Sequence, residues 1–274
     1  LEQFKANFAS LTSNVFVGMD TKGLCFFGDL VVGALMIKDS PAGELITSAH
    51  YRDADVEIAL LGLEGEAAAK KIRDIFFAVQ AATKATSEII RTRDEIIIIC
   101  QYPMRNIRIP LRSFKGPAEV IFSQDVDVRC VGFDGNSVWA LPRAQRALTK
   151  RYNLVDLALA HPLYEVNLYR WAKRGFAVAV PGFQRHLVTP HLLQQQPWQV
   201  GGLAKLILLE VELNAQWAPP TPAGTPFNLV PWTPRHQRFS VYARDEFTAL
   251  RIHEFQTLQK ATYPEEKENI DALE

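Results

Sequence analysis

The stretch DADVEIALLG, residues 53 to 62, places Asp55 and Glu57 two positions apart at the head of an apolar run. Side chains of a strand alternate between its faces, so these two carboxylates point the same way. Side by side they repel unless water, a base or a cation lies between them. Paired acids of this kind can hold a divalent ion through hard oxygen donors, and such an ion can neutralise phosphate charge during group transfer. The competing reading is a solvated strand end with no ligand. Asp125 and Asp127, in DVDVRC, repeat the spacing and are candidates for a further metal ligand, or else form the polar face of a hairpin strand.

Other chemistry has less to stand on. His161, His186, His191, His236 and His253 lack ligand partners at helical spacing, and His50 falls in a loop near the acids. Surface or packing roles fit them. Asp156 and His161 could be drawn as a dyad, but the sequence sets no serine or cysteine beside them. The basic run RAQRALTKR, 143 to 151, reads as a solvated helix face rather than a phosphate or RNA site, because the chain as a whole is electrically balanced.

The elements that must position these residues follow from periodicity. LCFFGDLVVGALMI, 24 to 37, predicts a short strand or turn feeding a buried helix, with Leu30, Gly33, Ala34 and Ile37 at three- and four-residue spacing. Residues 64 to 83 predict a long amphipathic helix behind the acid-bearing strand. SEIIRT and EIIIICQ, separated by Arg93 and Asp94, predict an antiparallel hairpin, and NIRIPLR a further strand. GPAEVIFSQ predicts a helix opened by Gly116 and Pro117, and residues 125 to 135 an alternating strand that turns at Asp134 and Gly135. Helices over ALPRAQRALTKRYN and HPLYEVNLYRWAKRGF follow, the second closed by Gly175, and AVAVPG predicts a strand. WAPPTPAGTPFNLVPWTPR, 217 to 235, is too rich in proline for helix or central strand and predicts an extended arm, followed by a final helix and an acidic tail.

The totals exclude several classes. A chain of 274 residues, 48% hydrophobic and 22% charged, can build a sizeable core. Thirty basic residues balance thirty acidic ones, so no global field draws the protein to nucleic acid or an anionic membrane. No apolar run approaches the roughly 20 residues needed to cross a bilayer. Cys25, Cys100 and Cys130 sit in apolar contexts without CxxC spacing, which predicts buried thiols in a reducing, cytoplasmic compartment. No secretory or transit peptide is recognisable, and with Leu as residue 1 the natural start is left open.

A helix, a strand opening with paired acids, a long helix and then antiparallel strands is the element order of the nucleotidyltransferase core. The chain resembles a nucleotidyltransferase-like family, of the polymerase-beta-type fold, found in fungal and large-virus proteins and often beside ankyrin repeats. DADVEIALLG, residues 110 to 156 (PLRSFKGPAEVIFSQDVDVRCVGFDGNSVWALPRAQRALTKRYNLVD) and YEVNLYRWAKRGFAVAVPG carry the resemblance, over roughly 24 to 187. It implies an α/β fold, a mixed sheet flanked by helices. The domain plan is an N-terminal extension at 1–23, the nucleotidyltransferase-like domain at 24–187 and a helical extension at 188–216. A Pro-rich arm at 217–239 and a C-terminal helix with acidic tail at 240–274 complete it.

In that family a Gly-Ser turn holds the triphosphate through backbone donors and a hydroxyl, and the paired acids hold Mg²⁺ with a third acid. The resemblance therefore casts Asp55 and Glu57 as metal ligands and Gly28 as the nucleotide-binding turn. This sequence departs at two places: FGDL sets Asp29 and Leu30 where Gly-Ser is expected, and Arg108 stands in NIRIPLR where the third acid would be. An acid at that turn repels a triphosphate and, when ionised, cannot donate to it. Two functions remain open. One is a catalytically degraded scaffold for binding or assembly, even a structural component of a larger particle, with no cofactor and a protein partner or neighbouring copy held by the Trp217, Phe227 and Trp232 arm. The other is a metal-dependent nucleotidyltransferase using Mg or Mn with a nucleoside triphosphate, and the altered turn favours the first.

Overall fold

The computed structural model describes residues 1–36, 51, 54–83, 87–101, 104–184 and 187–216. The arm at 217–239, the final helix and tail at 240–274, and His50, His186, His236 and His253 lie outside the described residues. The chain divides into two compact units, 1–124 with 128–145, and 125–127 with the residues from 146 onward.

The first unit is built on a mixed sheet. Its strands are β1 (Leu24–Phe27), β2 (Val56–Leu61), β3 (Glu88–Arg91), β4 (Glu95–Ile99), β5 (Ile107–Pro110), β6 (Ser113–Phe114), β7 (Val131–Phe133) and β8 (Val138–Ala140). They run in the order β3-β4-β5-β2-β1-β7-β8, with β6 extending alongside β2. β2 is parallel to β5 and β6 and antiparallel to β1, and β3, β4 and β5 form an antiparallel set. Helices α1 (Glu2–Leu11), α2 (Asp29–Met36), α3 (Gly65–Thr83) and α4 (Pro117–Phe122) accompany it. The strand, buried helix, acid-headed strand, long helix and hairpin implied by the resemblance are all present, and the class is a mixed α/β sheet flanked by helices.

Pairing register assigns each residue to a face. Phe26 lies opposite Ile58, and Phe27 opposite Glu57. On the Phe26 face, α1 contributes Phe4 and Phe8 to an edge-to-face cluster with Phe26 and Phe133, ring centroids 5.0 to 5.2 Å apart, and Phe16 joins at 4.8 Å from Phe26. Such geometry adds about 0.5–1.5 kcal/mol per pair beyond area burial. The other face carries a core of Cys25, Phe27, Ala59, Phe114 and Val120, the last from α4. Glu57 continues that second face at the open end of β2.

The second unit holds a two-stranded parallel sheet of β9 (Tyr152–Leu154) and β10 (Ala177–Ala179), with α6 (Tyr164–Lys173), α7 (Pro190–Leu193) and α8 (Ala204–Gln216). Helix α5 (Pro142–Lys150) runs across the boundary between the units. Gly175, at φ +83°, closes α6 as predicted: its N–H reaches the Ala172 carbonyl and that of Phe176 the Trp171 carbonyl, the paired bonds of a Schellman cap. No helix among the described residues is long and apolar enough to cross a membrane.

One expected element is corrected. Residues 125 to 135 do not form a continuous alternating strand: Asp127–Arg129 is a 3₁₀ turn and only Val131–Phe133 joins the sheet. A strand would line Asp125, Asp127 and Arg129 along one face. The structure instead buries Val126, Val128 and Cys130 together with Asp127, so polar and apolar side chains are not segregated by face.

Phe8→Ala should cost about 3–5 kcal/mol, the usual penalty for emptying a packed aromatic site. Chemical denaturation measures it, and a loss below about 1 kcal/mol would mean that α1 is not part of this core.

Candidate functional site

The acids at the head of β2 are positioned by an arginine that the periodicity did not single out. Arg105 is buried, and its guanidinium donates to the carbonyls of Leu11, Tyr51 and Ala54. These bonds tie the end of α1 to the chain just before β2, which fixes where Asp55 leaves the loop. From there the pairing of β2 with β5 sets Glu57 beside Arg108.

Glu57 is met by Arg129, whose Nη2 lies 2.8 Å from both carboxylate oxygens. The same guanidinium approaches Asp29 Oδ1, with Nε at 3.3 Å. All three side chains are largely buried, 23% exposed for Glu57, 14% for Arg129 and 10% for Asp29, so the attraction is weakly screened. Asp29 thus opens α2 with its carboxylate turned to a cation. Arg108 forms the second link, donating in bidentate fashion to Glu95 and lying 3.8 Å from Asp55 Oδ2. The two arginines deliver two positive charges to a group of four carboxylates.

Gly28 has a definite task here. Its φ of +80° is in the left-handed region, and a Cβ built on it would collide with the Glu57 carboxylate. The glycine therefore lets Glu57 lie against the turn, whatever else the turn does.

Burial and charge act in opposite senses on the acids. Burial pushes the Glu57 carboxyl above its ordinary value and Arg129 opposes this, while nearby Asp29 adds to the rise. Burial likewise raises Asp55, countered by Arg108 and reinforced by Glu95. Hydrogen bonding to Glu95 moves Arg108 in the direction of still tighter proton binding.

These contacts decide how the site suits a metal. Glu57 and Asp29 are spanned by one guanidinium and Asp55 has another beside it. Among the described residues no group of three or more His, Cys, Asp or Glu is disposed to hold an ion. As arranged, the donor set does not fit a divalent cation.

Asp125 and Asp127 belong to the second unit and have partners of their own. Asp127 Oδ2 accepts from Arg146 Nη2 and the Leu154 N–H, each at 2.9 Å. Asp125 Oδ2 accepts from Asn167 Nδ2 at 2.6 Å and meets His161 Nε2 at 2.9 Å. The Leu163 N–H donates to His161 Nδ1, so the neutral ring carries its proton on Nε2 and gives it to Asp125. Both ring nitrogens are engaged, and His161 pairs with Asp125 rather than Asp156. Asp156 instead caps a short turn, accepting from the Ala158 N–H.

The basic run is likewise built into the protein and is not simply a solvated face. Arg143 donates to the Gln124 carbonyl, Arg146 to Asp127, and Arg151 lies over the Phe176 ring at 5.0 Å. Sequence reasoning missed Arg129, Arg105 and Glu95 altogether and read Asp29 only as a defect. The available signal was a lone charge inside each of two apolar runs, Asp29 in CFFGDLVVG and Arg129 in VRCVGF, since buried charges require partners.

No protein-family model matches the chain. An uncharacterized protein of Acanthamoeba polyphaga mimivirus is 20% identical over 162 residues, which is 54% of this chain and 36% of that protein. The chain therefore spans little more than a third of that relative. Among solved structures, a tRNA-processing enzyme with CTP is similar at 13% identity and a TM-score of 0.36, over 72% of this chain and 45% of the other. The Thermotoga maritima CCA-adding enzyme complexed with tRNA is similar at 12% identity and a TM-score of 0.40, over 93% and 65%.

Two measurements follow. Gly28→Ala should destabilise by roughly 2 kcal/mol or more, through left-handed strain and the collision with Glu57. Adding Glu57→Ala should return part of that loss in a denaturation cycle, and strict additivity would refute the contact. For pH, a carboxyl raised in the folded state binds its proton more tightly there than in the unfolded chain. Its stabilisation is complete below the ordinary values of 3.8 for Asp55 and 4.5 for Glu57, and is lost as pH rises through the raised values. Asp55→Asn should reduce that decline in stability on leaving acid, and an unchanged pH slope would rule out the raised Asp55.

Proposed function

We propose that this chain uses a nucleotidyltransferase-like fold as a binding and assembly scaffold and does not transfer nucleotides. The observation that carries the reading is the Arg129 guanidinium, bonded to both oxygens of Glu57 and drawn against Asp29. Glu57 is one of the two acids that would have to hold a metal, and Asp29 stands at the turn that would have to hold a triphosphate. Both are committed to the same internal cation. With two arginines set against four carboxylates, the head of β2 keeps an excess of negative charge and has little to offer an incoming polyanion.

On this reading the contact surface lies elsewhere, in the Pro-rich arm with Trp217, Phe227 and Trp232. Aromatic side chains on a segment with few backbone conformations lose little entropy on docking, which suits a protein partner or a second copy.

Calorimetry of the full chain with nucleoside triphosphates, in the presence and absence of Mg²⁺ or Mn²⁺, tests the proposal. No heat of binding is expected from the wild type or from Asp55→Ala/Glu57→Ala. Metal-dependent nucleotide binding by the wild type that vanishes in the double variant would overturn the scaffold reading in favour of an active, metal-dependent nucleotidyltransferase.

A further inference from the structure

The acid cluster poses a charge problem with a visible solution. Asp29 comes from the first turn of α2, Glu57 from β2 and Arg129 from the turn before β7, three segments far apart in the chain. A planar guanidinium can address two carboxylates at once, with fixed donor directions. It contributes one positive charge, and Arg108 beside Asp55 and Glu95 contributes a second. Their sum equals the charge of one divalent ion.

We propose that Arg129 is a resident counter-cation standing where a divalent ion would otherwise bind, with Asp29 as its anchor. The inference rests on the scaffold reading and deepens it. A guanidinium stays protonated throughout the physiological range and is covalently tethered, so it neither dissociates nor needs to be supplied. Asp29 gains a purpose as well: a serine in its place would remove the carboxylate that meets the Arg129 Nε. The arrangement therefore links the altered phosphate turn and Arg129 as two halves of one device.

The test uses the full chain and Mn²⁺ alone, with no nucleotide. Water-proton relaxation reports Mn²⁺ binding, and thermal melting reports its effect on stability. The wild type should neither bind nor shift. Arg129→Ala should bind Mn²⁺ and gain several degrees in melting temperature from it, because mass action stabilises whichever state holds the ligand. Arg129→Lys keeps a cation in place and should remain silent.

Should Arg129→Ala not fold unaided, dilution from denaturant with and without Mn²⁺ gives the answer, with recovery of folded protein expected only when the ion is present. Absence of both binding and rescue in Arg129→Ala would overturn the proposal. So would Mn²⁺ binding by the wild type as strong as by the variant, or binding by Arg129→Ala that persists when Asp29→Asn and Glu57→Gln are added. Because nucleotide is absent from every arm, failure here is separate from the calorimetric result on nucleotide binding.

Discussion

Burying like charges side by side is the constraint around which the first unit is arranged. Asp29, Asp55 and Glu57 converge near the open end of β2, where partial removal from water makes their repulsion costly and raises the affinity of both Asp55 and Glu57 for protons. Arg129 and Arg108 resolve that repulsion. A buried ion pair is weak evidence for net stability, since desolvation consumes most of the Coulombic gain. Its value here is in specification: one guanidinium joins three segments distant in the chain, and the contact forms only when all three are in place.

The rest of the first unit can be understood as holding that placement. The phenylalanine cluster secures α1 on one face of β1, the α4 core covers the other, and Arg105 draws the end of α1 and the approach to β2 onto a single guanidinium. Gly28 removes the one Cβ that would keep Glu57 from its position. Each contribution is of a different kind: aromatic packing, carbonyl chelation and steric absence.

Much of the architecture was legible because its cues are local. The β3–β4 hairpin follows from a two-residue break between isoleucine-rich runs, and the Gly175 cap from a glycine past the last periodic residue. Asp55 and Glu57 were legible as a pair for the same reason. What pairs with them was not, because Arg129 is more than 70 positions from Glu57 in sequence and periodicity carries no information over such a span. The 125–135 segment failed differently. Its alternation is real, but alternation reports faces only if the residues all belong to one strand, and this stretch feeds two units.

That stretch carries its own consequence. Within five residues, Asp125 goes to His161 and Asn167, Asp127 to Arg146 and the Leu154 amide, and Arg129 to Glu57 and Asp29, while Val126 and Val128 are buried. The segment behaves like a key with five teeth, each cut for a different lock. Substitution at one tooth spoils one lock, whereas gaining or losing a single residue misaligns several at once, putting valine against carboxylates and acids into the core. Over evolutionary time the spacing of these positions should therefore be held more strictly than the identity of any one of them.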